Sequence, residues 1–273
     1  MYDSVVMPVV NVYKYLGVLF STKLSFTATC CDLSSKAKNA AICIMQRLRM
    51  LNNNSLELFL KLFDSQMQPI ALYFAELLGL DTAAVHCEKV HLFALKSFLG
   101  VEMRTPNDLI YGETNRYPLF VNSAVRYIRY WLNLTRMDGS RLPCKAYRML
   151  RGLDARGKRN WVSNVRCKLN QFGFGYVWLN QGVEGINQSS RVLRERLIVC
   201  RWQEWNSHVQ TSDSFSVYRT FCTVHDMKMY LELNIDRLLL STHTHFLTVF
   251  FWFYFYLIGP FNSISLYESL PQP

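Results

Sequence analysis

From Leu33 onward the chain repeats its apolar residues at helical spacing. Ala37, Ala40, Ala41, Ile44, Leu48 and Leu51 recur every three or four residues, which gathers them on one face of a helix. Ser34 or Ser35 can cap its start. Asn52-Asn53-Asn54-Ser55 then stops and restarts the chain, and a second stripe follows in Leu56, Phe59, Leu60, Phe63, Met67 and Ile70, with Pro69 expected to kink or break it. A third helix is predicted over 82–99, closed by Gly100 as its C-cap. Thr105-Pro106-Asn107-Asp108 starts a turn or the next helix.

Beyond Pro118 the pattern continues. Val121, Val125, Ile128 and Leu132 mark a strongly amphipathic helix that carries Arg126, Arg129 and Arg136 on another side, spaced to share a face. Leu142-Pro143 opens a further helix through Tyr147 and Leu150, and Gly152 to Lys158 is expected as a loop. Helices are predicted again over 161–170, 191–208 and 215–233, with Gly173-Phe174-Gly175 and Gly182 to Asn187 between them. Only the front of the chain is different. Val9-Val10-Asn11-Val12-Tyr13 and Leu16-Gly17-Val18-Leu19-Phe20 are β-rich runs suited to a hairpin, where the glycine marks a bulge or a close backbone approach. The fold class expected is mainly α: a short N-terminal β-hairpin, then a multi-helix bundle and further helices.

Half of the 273 residues are hydrophobic, and glycine and proline together are scarce, which excludes a disordered or fibrous chain. The eight cysteines are scattered without a C-x-x-C pair, so they lack the close spacing of a structural zinc site and fit small buried hydrophobes in a reducing compartment. The stretch from Met1 to Asn11 lacks the basic region and long apolar run of a secretory signal, and an intracellular location, cytoplasm or nucleus, is expected. Charge is unevenly placed. Residues 1–123 hold eleven Lys/Arg against ten Asp/Glu, whereas residues 124–201 hold sixteen against four. Such density points to a polyanionic partner, nucleic acid or an anionic membrane surface, or else to a solvated basic face.

No catalytic constellation stands out. Gly152-Leu153-Asp154-Ala155-Arg156-Gly157-Lys158-Arg159 matches G-x-x-x-x-G-K, but ends in Arg where a phosphate loop needs a hydroxyl for magnesium, and it follows a helix where that loop follows a strand. His86 and His91 are five apart, off a common helix face for a metal. Tyr127, Tyr130, Trp131, Tyr147, Trp161, Phe172, Tyr176, Trp178, Trp202 and Trp205 interleave with arginines; such rings can stack bases or fill a helical core. Phe246 to Ile258 is apolar except for Thr248, short of the roughly twenty residues of a bilayer span. Extended back over 238–258 it takes in His243 and His245 among other polar residues. Translated non-coding sequence is one reading of this tail and a membrane anchor the other.

Three phrases, taken in order, carry a resemblance: Tyr13-Lys14-Tyr15-Leu16-Gly17-Val18, Phe63-Asp64-Ser65-Gln66-Met67-Gln68-Pro69-Ile70-Ala71-Leu72-Tyr73, and Tyr111-Gly112-Glu113-Thr114-Asn115-Arg116-Tyr117-Pro118-Leu119. Lys96 to Val101, Trp131, Gly173 to Trp178, Arg196-Leu197, Trp202 to Trp205 and Tyr230-Leu231 extend it. From about Val10 to Leu233 the chain resembles the part downstream of the polymerase active site in non-LTR (LINE-type) retrotransposon reverse transcriptases. It departs from the family at Tyr73 to Gly79, where the glutamate of a Gly-x-Glu-x-Trp phrase remains as Glu76 without its glycine and tryptophan. The cysteine/histidine knuckle that often follows is also missing.

The resemblance implies four parts: 1–30 as a hairpin like a primer grip, 31–123 as a thumb-like helical region, 124–240 as a basic post-thumb region, and 241–273 as the hydrophobic tail. Tyr13, Tyr15, Leu16 and Gly17 correspond to the primer grip. The parent enzyme uses Mg2+ held by paired aspartates, which have no counterpart here, so no catalytic residue, no metal and no polymerase activity are expected of this chain. What is expected is weak binding of RNA or an RNA–DNA hybrid through Arg126, Arg129, Arg136, Arg156, Lys158 and Arg159, with no small-molecule substrate. A tail-anchored membrane protein, attached through 238–258 with its basic domain in the cytoplasm, is the alternative.

Overall fold

The computed structural model describes residues 10–22, 25–78, 82–182 and 184–221. It is mainly helical behind a two-stranded antiparallel hairpin. Strands β1 (Val12–Tyr15) and β2 (Val18–Ser21) pair Val12 with Ser21 and Tyr15 with Val18. Leu16 and Gly17 make the two-residue turn, both at positive φ (47° and 83°), the conformation that matches hairpin twist. Glycine adopts it freely and leucine does not. The Tyr73 hydroxyl donates to the Leu16 carbonyl at 2.8 Å and holds it there. Strand β2 is bonded to α1: the Leu19 amide donates to Thr29 Oγ1 at 3.0 Å, and that hydroxyl donates back to the Leu19 carbonyl at 2.8 Å.

Helix α1 (Thr27–Met50) begins well before Leu33, so Ser34 and Ser35 lie inside it and cap nothing. Its buried stripe is Cys30, Leu33, Ala37, Ala41, Ile44, Met45 and Leu48, and Leu51 is exposed past its end. The restart at Ser55 holds: its hydroxyl accepts from the Leu58 amide at 3.2 Å and caps α2 (Leu56–Leu62). Pro69 neither breaks nor ends the run. A π-helical turn (Phe63–Met67) precedes α3 (Gln68–Ala71); this wider turn changes the register of the backbone ladder just ahead of a residue with no N–H to give.

Helix α4 (Ala75–Leu78) follows, then α5 (Thr82–Leu99). Gly100 closes α5 at φ 73° as the Val101 amide returns to the Lys96 carbonyl at 3.1 Å. After α6 (Asn107–Thr114) and α7 (Phe120–Arg136), helix α8 (Leu142–Ala155) runs straight through Gly152, where a loop was expected. Helix α9 (Trp161–Gln171) precedes a one-turn helix α10 (Gly175–Leu179), placed where only a connection was expected. Helix α11 (Ile186–Thr211) starts five residues before Arg191. A 3-10 turn (Asp213–Phe215) leads to α12 (Ser216–Phe221); the remainder of the helix expected over 215–233 lies outside the described residues.

Two large apolar cores adjoin. The first runs from Ala37 to Leu119, with Phe59 stacked on Phe98 at 4.3 Å. The second opens at Val121 and centres on fully buried Tyr127 and Trp131, the latter stacked on Trp178 at 5.6 Å. Each large side chain buried in this way contributes about 2 kcal/mol. A third, smaller core joins α6 to α11 and α12 through Tyr111, Trp205, Phe215 and Tyr218.

Candidate nucleic-acid interface

The arginines of α7 differ in exposure and in what they contact. Arg126 is half-buried and donates to the Leu72 carbonyl at 3.2 Å, at the C-terminal end of α3. The same carbonyl accepts from the Ala75 amide at 3.2 Å, and the guanidinium adds a charged donor at the negative end of the helix. Arg129 is exposed and donates to Asn187 Oδ1 at 2.9 Å, bridging to the first turn of α11. Arg136 is exposed at the far end of α7, beside a shallow polar recess of about 530 Å³ shared with Asn180, Gln181 and Glu184.

Arg156, Lys158 and Arg159 lie together on the connection between α8 and α9, and all three are exposed. Arg156 bends back so that its Nε donates to the Gly152 carbonyl at 3.1 Å, neutralising the negative end of α8. The loop is held firmly. The Asn160 amide side chain donates to the Leu150 and Lys158 carbonyls at 2.9 and 3.0 Å. Its Oδ1 accepts from the Val162 and Ser163 amides and forms a capping box at the start of α9. The donors that a phosphate would use at that helix start are therefore taken, and the 152–159 run is a helix end followed by a turn at Gly157 (φ 77°).

Sequence reasoning missed three more cations. Arg141, Lys145 and Arg148 fall at i, i+4 and i+7 at the start of α8, and all three are exposed. Their spacing was the available signal. The one acid of α8, Asp154, pairs with Arg166 at 3.0 Å.

Tyr13, Tyr15 and Leu16 are exposed on the hairpin, and Gly17 packs its backbone near the ring of Tyr73. Below the hairpin tip lies an apolar groove of about 630 Å³ between Tyr15, Leu16, Tyr73, Tyr130, Leu150 and Trp161. The groove brings the hairpin tip to the elements that flank the basic loop, while Arg156, Lys158 and Arg159 themselves do not line it. The interleaved aromatics divide in favour of packing: Tyr127, Trp131, Tyr147 and Trp205 are buried, and Tyr176 is exposed.

Two further polar clusters join elements of the fold. Glu88 on α5 accepts from the Tyr111 hydroxyl at 2.5 Å and the Leu119 amide at 2.7 Å, and sits 2.9 Å from His91 Nδ1. One carboxylate thus ties α5, α6 and the start of α7. Burial, and then the Glu88 charge, push the Tyr111 phenol well above its ordinary range. Lys96, also buried, donates to the Met103 and Thr105 carbonyls and to Asn107 Oδ1 at 3.0, 2.6 and 2.8 Å, and desolvation lowers its pKa. His86 lies 3.9 Å from Cys31 Sγ. Among the described residues no group of three or more His, Cys, Asp or Glu is placed to hold a metal ion, and no helix is long and apolar enough to cross a membrane. The segment 238–258, with His243 and His245, lies outside the described residues.

Neither a protein-family model, nor a curated protein, nor a solved structure matches this chain.

Proposed function

We propose that the chain is the primer-grip, thumb and post-thumb part of a LINE-type reverse transcriptase, and that its own activity is salt-sensitive binding of RNA or an RNA–DNA hybrid without catalysis. The observation that supports it best is the surface position of the 156–159 cations on a loop pinned at both ends by Asn160. A rigid basic loop presents charge to a phosphate backbone without the ordering cost that a loose one would carry. The family phrases lend support in another way: Tyr111, Gly112 and Glu113 are all buried, as befits residues that build a scaffold.

Within the cluster, Lys158 and Arg159 are the principal contacts, since Arg156 already serves the end of α8. Arg129 and Arg136 come second, and Arg126 is structural. The test is fluorescence anisotropy of a labelled RNA–DNA hybrid against the full chain across a salt series. Binding at low salt should weaken steeply as salt rises, with about one unit of slope for each phosphate contact. Neutralising Arg156, Lys158 and Arg159 together should lower both affinity and slope. Absence of binding at low salt, or indifference to that triple substitution, refutes the reading.

A further inference from the structure

Resting on the nucleic-acid reading above, we infer that the docking surface is the solvent stripe of α8 (Arg141, Lys145, Arg148 and Gly152, continued by the 156–159 loop), and that it lies along the backbone of a duplex. Residues 141, 145, 148, 152 and 156 follow one another at intervals of four, three, four and four, which keeps them within a narrow strip of the helix surface. The four cations of this strip are exposed. The one acid within α8, Asp154, is paired with Arg166, and the nearest acid outside the helix is Asp138, whose carboxylate feels the charge of Arg148 but is held mainly by Ser140. At a rise of 1.5 Å per residue the strip is about 22 Å long, roughly six base pairs of one strand at 3.4 Å each.

Gly152 supplies the second observation. A glycine inside an exposed helix is destabilising relative to alanine, and it is usually kept for a positive φ or for close packing. Neither applies here. Gly152 is helical, and a Cβ built on it would meet nothing within 4 Å. The fold has no use for the missing side chain. A polyanion backbone lying along the strip does, because the gap lets it approach the helix between Arg148 and Arg156. A straight, rigid row of charge suits a straight, rigid duplex better than a flexible single strand, and sequence-independent phosphate contact is all such a row can read.

The test uses the full chain, a labelled RNA–DNA hybrid of about 20 base pairs, the same RNA unpaired, and vesicles containing phosphatidylserine. Lys145→Gln with Arg148→Gln should weaken hybrid binding and reduce the salt slope by about two. Gly152→Gln places a good helix former in open space, so it should raise thermal stability while weakening hybrid binding about tenfold. That opposed pair of effects is one that a merely structural glycine would not give. The inference is overturned if hybrid binding occurs but ignores these substitutions, if the single strand binds tighter than the hybrid, or if only the vesicles bind. If nothing binds at low salt, the underlying reading fails with it.

Discussion

Gly112 of α6 lies against Trp205 of α11 so closely that a Cβ there would stand 2.7 Å from the indole Cζ2, and 2.6 Å from the Tyr218 hydroxyl. Next to it, Glu113 is buried and accepts from that same hydroxyl at 2.9 Å, while the indole N–H of Trp205 donates to the Asp108 carbonyl at 2.7 Å. The C-terminal helices are thus seated on α6 through a backbone that carries no side chain at the contact point. Gly112→Ala should cost about 2 kcal/mol, since even one methyl overpacks such a contact. Urea denaturation measures it, and an unchanged midpoint would mean that α11 and α12 are not held on α6 in this way.

The Glu88 junction gives a second prediction. Glu88→Gln turns an acceptor for three donors into a group that must present two N–H donors of its own. The expected loss is about 3 kcal/mol. Tyr111→Phe, which removes one donor only, should cost about 1 kcal/mol. Because both act on one carboxylate, the double variant should lose less than the sum of the two, and a double-mutant cycle in urea reads that coupling directly.

Alkaline pH should destabilise the fold through two buried acids. Burial pushes the Cys87 thiol from 9.0 up to about 12, and Tyr111 moves in the same direction. A folded-state pKa raised above the unfolded one means that only the unfolded chain releases its proton in the interval between them. Stability from Cys87 is therefore whole below about pH 9 and is lost as pH rises from there towards 12. Thermal melts in steps upward from about pH 8 should show the decline, and Cys87→Ala should make it shallower.

Much of this architecture could be read from residue spacing, because the apolar stripes of α1, α2, α7 and α8 are set by local period alone. The start of α1 could not. Thr27 to Cys31 carries little apolar signal, and Thr29 is fully buried because its hydroxyl serves both the N–H and the C=O of Leu19 across the chain, a tertiary bond with no local mark. Gly152 misled in the opposite sense: glycine signals a break, yet the helix passes through it. The charge asymmetry of 124–201 was plain in the composition. Which of its cations are spent inside the fold was not, since Arg126 finds its acceptor fifty-four residues away.

That distinction gives the last prediction, a comparison of Arg126 with Arg129 three residues later on the same helix. Arg126 is half-buried on the Leu72 carbonyl, whereas Arg129 is exposed and reaches a side-chain amide. Arg126→Gln leaves a helix-terminal carbonyl without its charged donor and should cost about 1.5 kcal/mol. It should not alter the salt slope of hybrid binding, because that guanidinium was never offered to a phosphate. Arg129→Gln should do the reverse, leaving stability within about 0.5 kcal/mol of the parent and lowering affinity modestly. Urea midpoints and salt-dependent anisotropy on the same two variants separate these roles. If Arg126→Gln lowers the salt slope while stability holds, the guanidinium leaves Leu72 for the nucleic acid, and the interface extends across α7 as the residue spacing first indicated.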